Sequence, residues 1–234
     1  MKKHIPNIIT CCNLLSGTMA VLFATREDFF LAFVFILIGA FFDFFDGMSA
    51  RALHVGQPIG KELDSLADVI TFGLAPTIML FVWLFPVVSW WSLLCLPMVA
   101  FSAIRLAKFN LDERQTSSFL GLATPPNAIF WGSLLSYLSC AGYRPLWLCI
   151  VFIVGSIASS ILLVSEIPFF SLKFHDLKWS NNKVRFVFII VSVLLLCATV
   201  IASAVIGWYL LCSIGAVVII WYILLSLITY KSIS

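Results

Sequence analysis

Asp43 and Asp46 stand three residues apart, and Asp64 and Asp68 four apart, in a chain whose surroundings are almost wholly apolar. On a helix those spacings put both members of a pair on one face. Gly47 and Ala50 stay close to the face of the first pair, with Arg51 at its margin. A short polar connection holding Gly56, Pro58 and Gly60 separates the pairs, so two consecutive helices can bring them face to face. Four confined carboxylates repel one another unless positive charge compensates. Arg51 and Lys61 supply part of it, and divalent cations would supply more. Carboxylate oxygens are hard ligands suited to Mg2+ or Mn2+. Two such ions can clamp the oxygens of a transferring phosphoryl group. No thiol or imidazole cluster points to zinc, and Gly47 and Gly60 would let a phosphate or nucleotide approach closely. Intramembrane acids also serve cation or proton transport, or pair structurally with basic residues. Two pairs on adjacent helix ends favour the metal site over those uses.

The elements that must position these residues are membrane helices. Of 234 residues 62% are hydrophobic and 11% charged, with a mean hydropathy of +1.09. A soluble domain is nearer 45–50% apolar and about 25% charged. The sequence predicts an all-α polytopic membrane protein, a single transmembrane domain over 1–234. About eight helices are expected, near 8–25, 29–48, 65–86, 90–109, 126–141, 146–165, 185–204 and 206–229. The basic N-terminus is read as part of a retained first helix rather than a cleaved leader. Trp83, Trp90 and Trp91 suit an interfacial aromatic belt.

Basic residues set the orientation. With both termini on one side, that side collects Lys2, Lys3, Arg51, Lys61, Arg105, Lys108, Arg114, Lys173, Lys178, Lys183, Arg185 and Lys231, and the other only Arg26 and Arg144. The positive-inside bias places both termini, and the 43–68 motif at the ends of helices two and three, in the cytoplasm. The basic residues are spread among acids, which speaks for topology and lipid headgroups and against nucleic acid.

The run from Asp43 through Asp46, Gly47, Ala50 and Arg51 to Gly60, Asp64 and Asp68 resembles the signature of the CDP-alcohol phosphotransferase family, D-x2-D-G-x2-A-R-x8-G-x3-D-x3-D, at every fixed position. PNIITCCNLLSG, FSAIRLAKFN with SSFLGLATPPNA, and LLVSEIPFFSLK resemble its phosphatidylserine synthase branch. Lys108 stands where that branch commonly has arginine, and Ala123-Thr124 replaces its usual Leu-Pro.

The resemblance implies transfer of the phosphatidyl group from CDP-diacylglycerol to the hydroxyl of L-serine, giving phosphatidylserine and CMP. It implies that Asp43, Asp46 and Asp64 ligate divalent ions, with Asp68 at or beside the second ion and acting as base. Gly47, Arg51 and Gly60 are the implied nucleotide and diphosphate contacts. Arg105 and Lys108 are candidates for a phosphate or carboxylate of a substrate, with lipid-interface anchoring as the alternative. Asn13 is a candidate hydrogen-bonding partner of the nucleotide or diphosphate, with joining of helices as the alternative. Two Mn2+ or Mg2+ ions, a homodimer and a bacterial inner (cytoplasmic) membrane complete the expectation. The rivals are another acceptor (glycerol 3-phosphate, inositol or choline), an ether-lipid donor, or a small cation transporter.

Overall fold

The computed structural model describes residues 4–53, 58–111, 118–170 and 182–229. Helix α1, Ile5–Thr25, has Pro6 in its first turn, where the missing N–H costs nothing. Glu27, at φ 59°, turns the chain, and Asp28 caps α2, Phe29–Ala52, by accepting from Leu31 N at 3.0 Å. The two helices form a tight antiparallel hairpin.

Pro58 opens α3, Pro58–Asp68, which runs without a break into a π-helical turn, Val69–Leu74, and then α4, Ala75–Val88. Pro76 accounts for the wide turn: it has no N–H for the carbonyl four residues back, and its ring crowds that carbonyl. Ala75 N bonds instead to Ile70 O, one residue further than in an α-helix. Ser89, at φ 50°, ends α4. A 3-10 segment, Ser89–Cys95, packs on α4 and leads into α5, Pro97–Leu111, which folds back along the π turn and reaches α3 at its end. Three contacts fix the antiparallel register. Ser102 lies against Gly73, where an added Cβ would meet its Cβ at 3.1 Å. Asn110 Nδ2 donates to Ser65 Oγ at 2.7 Å, and Lys61 Nζ donates to Asn110 O at 2.8 Å.

Helices α6, Thr124–Cys140, and α7, Leu146–Val164, are followed by α8, Lys183–Ile206, a 3-10 segment, Trp208–Ser213, and α9, Ile214–Thr229. The connections before α6 and after α7 meet in a ladder unforeseen from sequence: β1, Ser118–Leu120, pairs antiparallel with β2, Pro168–Phe170. The protein is thus an all-α polytopic membrane protein apart from that ladder. Six helical runs are long and apolar enough to cross a bilayer: Ile5–Thr25, Phe29–Ala52, Ile59–Leu111, Leu146–Val164, Lys183–Ile206 and Trp208–Thr229. The 53-residue run is the predicted third and fourth helices joined and folded back at Ser89, and the predicted fifth is the shorter 17-residue α6.

Two expectations are corrected. The third helix starts at Pro58, not near 65, because proline suits a first helical turn, so Gly60 and Lys61 are helical rather than in the connection, and Asp64 shares the helix with Asp68 as expected. Trp83 is fully buried, packed on Phe152 with ring centroids 5.1 Å apart and under the Arg144 guanidinium at 5.4 Å. It shares a core-facing side of α4 with Met79, Leu80 and Leu84, while Trp90 and Trp91 are exposed as a belt requires. The expectations on Gly56 and on Lys2, Lys3, Arg114, Lys173, Lys178 and Lys231 fall outside the described residues.

Candidate active site

The end of α2 supplies Asp43 and Asp46, and α3 supplies Asp64 and Asp68. Carboxylate oxygens of Asp43, Asp64 and Asp68 lie within 4.8 Å of one another. Asp68 is the last residue before the π turn and is buried. Asp64 Oδ1 is buried with no hydrogen-bond partner. An unsatisfied carboxylate oxygen beside two other carboxylates is costly unless a cation takes it up. Three clustered hard oxygen donors with an orphaned oxygen fit a divalent cation of the Mg2+ or Mn2+ class.

Helix α1 holds the cluster from behind. Asn13 Nδ2 donates to Asp68 Oδ1 at 3.1 Å. Thr10 Oγ1 lies 2.7 Å from Asp46 Oδ2 and 3.0 Å from Pro6 O, and its one proton is best spent on the nearer, charged acceptor. Thr71, in the π turn, donates its hydroxyl to Asn13 O at 3.1 Å. This is possible because two glycines clear the way. An added Cβ at Gly17 would stand 2.3 Å from Thr71 Oγ1, and one at Gly39 would stand 2.4 Å from Thr71 Cγ2. The π turn therefore swings Thr71 into a slot between α1 and α2, locking the three helices that carry the acids and their donors.

Asp46 stands outside the close cluster, though its charge acts on Asp43, Asp64 and Asp68. Gly47 faces open space, with nothing within 4 Å of an added Cβ, and Gly60 approaches Asn7 Oδ1, where a Cβ would sit at 3.1 Å. Arg51 is exposed at the end of α2. Arg105 is only 8% exposed. Along α5 it lies between Ser102, which packs on Gly73, and Asn110, which bonds Ser65, and it feels the charge of Asp68. Lys108, one turn on, is exposed. The structure thus brings Asn13, Asp43, Asp64 and Asp68 together, buries Arg105 within electrostatic reach of Asp68, and leaves Arg51 and Lys108 at the rim.

Thr10, Gly17, Gly39, Thr71 and Asn110 had no assigned part in the sequence reading. A signal existed for the first two: Thr10, Asn13, Ser16 or Gly17, Ala20 and Ala24 recur at helical spacing as the small or polar stripe of α1, and all are buried.

Residues 3–162 match the model of the family described as CDP-alcohol phosphatidyltransferase. The chain is 36% identical over 174 residues to a CDP-diacylglycerol–serine O-phosphatidyltransferase of Bacillus subtilis, covering 74% of this chain and 93% of that one. It is 28% identical over 218 residues to an enzyme of the same name from Helicobacter pylori, covering 88% and 87%. An archaetidylserine synthase of Methanothermobacter thermautotrophicus is 28% identical over 171 residues, covering 70% and 69%. The matched stretch holds the four aspartates, Asn13 and Arg105, and it is well over half the chain. The protein belongs to the CDP-alcohol phosphatidyltransferase family.

Proposed function

We propose that the protein transfers the phosphatidyl group of CDP-diacylglycerol to the hydroxyl of L-serine, releasing CMP. The observation that carries this reading is the cluster of Asp43, Asp64 and Asp68, with Asp68 held by Asn13 and within electrostatic reach of Arg105. The serine acceptor rests on the names of the Bacillus and Helicobacter relatives and on the branch motifs around Asn13 and Arg105. The archaetidylserine relative keeps an ether-lipid donor as the second reading.

Asp43, Asp46, Asp64 and Asp68 would hold the divalent ions, two per site, with Asp46 set by Thr10 for an ion beside the close cluster. Bound there, the ions supply neutralising charge for the phosphoryl oxygens and the departing nucleotide. Asp68 takes the proton of the serine hydroxyl. The oxygen so freed attacks the lipid-side phosphorus, the bond from that phosphorus to the CMP oxygen breaks, and CMP leaves with the electron pair. Asn13 orients Asp68 so that one carboxylate oxygen faces the acceptor. Gly47 and Gly60 leave room for the nucleotide and diphosphate, and Arg51 and Lys108 guide the anionic donor from the rim. One direct displacement needs no covalent enzyme intermediate.

The same reading gives eight crossings, counting both arms of the folded-back run and α6, with both termini and the aspartates on the cytoplasmic face of a bacterial inner membrane. Arg51, Lys61 and Lys108 lie at the aspartate end, while Arg144 pairs with Glu27 at 3.6 Å near the α1–α2 turn. The single domain over 1–234 forms a homodimer in this reading; α8, with Phe188 its one buried residue, leaves an apolar face for lipid or a second copy.

The test supplies purified protein with CDP-diacylglycerol and Mn2+ and follows CMP release with serine, glycerol 3-phosphate, inositol or choline, alongside Asp68→Asn. Release with serine alone, lost in the variant, is expected. Release with another alcohol would refute the acceptor, and release undiminished in the variant would refute the base.

A further inference from the structure

The chain has seven cysteines, and the proposed chemistry uses none of them. Two of them, Cys140 and Cys212, meet in space. Cys140 is the last residue of α6 and is exposed, and Cys212 lies in the 3-10 segment that runs into α9 and is 6% exposed. The packing of α6 on that segment builds the contact. Ser133 Oγ donates to Cys212 O at 2.5 Å and accepts from Ala216 N at 2.8 Å. Tyr137, one turn further along α6, packs its ring on Tyr209 with centroids 6.0 Å apart. Ser133, Tyr137 and Cys140 follow one another at spacings of four and three, so all three share the face turned to this segment. Helical side chains lean toward the N-terminus of their helix. Cys212, whose carbonyl meets Ser133, therefore leans its thiol toward the end of α6. There the side chains of Cys140 and Cys212 come within hydrogen-bond reach of each other.

The place of the pair in the bundle sets its chemistry. Cys140 also feels the charge of Asp28, the N-cap of α2, at the opposite end of that helix from Asp43 and Asp46. The pair thus sits at the end of the molecule away from the acidic cluster. Resting on the reading that the aspartates face the cytoplasm, we propose that Cys140 and Cys212 form a disulfide on the exported face of the membrane, stapling α9 to α6. Disulfides persist in oxidising spaces outside the cytoplasm and are rare within it. Cys95 and Cys149 are closed to an oxidant: Cys149 is fully buried, and Cys95 is 1% exposed with its thiol on Thr77 O at 3.8 Å.

The oxidant is a disulfide-bearing thiol oxidoreductase of the exported space. Cys140, the exposed member, loses its proton and attacks one sulfur of the oxidant's disulfide, whose other sulfur leaves as a thiolate. Cys212, deprotonated in turn, attacks Sγ of Cys140 and displaces the oxidant's remaining sulfur. Two protons and two electrons pass from the cysteines to the oxidant, which departs as a dithiol. The bond closes a long loop through α7, the ladder and α8, and long loops are where a crosslink restricts the unfolded chain most. It also joins the family-matched stretch, which holds Cys140, to the helices beyond residue 162, among which α8 buries only Phe188.

The experiment uses the full-length protein made in a bacterium with an oxidising periplasm. Cells are quenched in acid, and thiols are counted by maleimide mass tagging before and after reduction. The wild type is expected to gain two tagged thiols on reduction, and Cys140→Ser and Cys212→Ser none. Reduction is expected to lower the wild-type unfolding midpoint in detergent by about 5 °C or more and to leave both variants unmoved. A gain of two that persists in both variants would place the bond between other cysteines and overturn the assignment. No gain in the wild type would overturn the disulfide, and a membrane-impermeant maleimide on intact cells carrying Cys212→Ser then shows which premise failed. Labelling of Cys140 from outside would leave the orientation and the serine reaction standing. Labelling only after the membranes are opened would overturn the orientation as well.

Discussion

Asn13 and Asp68 are 55 residues apart in sequence, yet the side-chain amide of the first donates to the carboxylate of the second at 3.1 Å in a buried setting. The contact joins the middle of α1 to the last α-helical residue before the π turn. Thr71, three residues past Asp68, reaches back to the Asn13 backbone carbonyl at 3.1 Å. Asp68 is therefore oriented by a closed loop of two hydrogen bonds rather than by α3 alone.

Removing the donor tests that orientation. A hydrogen bond to a charged group contributes about 1.5–3 kcal/mol, so Asn13→Ala is expected to lower kcat/KM for CMP release by roughly 10- to 100-fold, with each 1.4 kcal/mol a factor of about ten. Asn13→Asp has the same shape but turns the donor into another carboxylate. It is expected to lose more and to raise the Mn2+ concentration needed for half-maximal rate. Equal activity of the wild type and both variants would remove Asn13 from the site.

Thr10 offers a parallel case for Asp46. Thr10→Val keeps the shape and deletes the hydroxyl that lies 2.7 Å from Asp46 Oδ2. About a tenfold loss of rate at limiting Mn2+ is expected from a charged hydrogen bond of this kind, with Thr10→Ser near wild type. Loss unaltered by raising Mn2+ would mean that Thr10 supports the helix pair and not the metal-binding role given to Asp46.

What the sequence made legible follows from what each feature depends on. The aspartates were legible because residue type and helical spacing alone put Asp43 with Asp46 and Asp64 with Asp68. Their meeting across α2 and α3 needed only a short connection. Trp83 was misplaced because a helix apolar on every side carries no amphipathic signal to separate a core face from a lipid face. The π turn at Val69–Leu74 depends on where one carbonyl goes near Pro76, which hydropathy does not register. The ladder joins Phe119 to Phe169, and the Thr10–Asp46 bond joins two helices. Both are non-local pairings that a pass along one chain does not contain.

The slot that admits Thr71 gives a paired prediction. At Gly39 the nearest atom to an added Cβ is the Thr71 methyl at 2.4 Å, whereas at Gly17 the Thr71 Cα also stands at 2.7 Å. Overpacking a close helix contact costs about 1–3 kcal/mol, so both Gly39→Ala and Gly17→Ala are expected to lower thermal stability and activity. Thr71→Ser deletes the methyl and keeps the hydroxyl that holds Asn13. It should rescue Gly39→Ala substantially and Gly17→Ala little, because backbone cannot rotate away. Equal rescue of both, read by unfolding midpoint in detergent and by CMP release, would contradict the slot geometry.

The acidic cluster predicts a crossing of stabilities. Without divalent ions, Asp43, Asp64 and Asp68 crowd their carboxylate oxygens within 4.8 Å, and mutual repulsion opposes the native packing of α2 against α3. Asp64→Asn removes one of those charges and nearly preserves shape. Stripped with chelator, the variant is expected to unfold at a higher temperature than the wild type. Adding Mn2+ should reverse the order, because an ion bound only by the native state stabilises it by about 2.7 kcal/mol at a hundred times its dissociation constant. The wild type gains that stabilisation, and the variant, lacking one hard anionic ligand, gains less. Curves that keep the same order with and without Mn2+ would show that these three aspartates do not share a cation, and the metal-assisted reading of the site would fall with them.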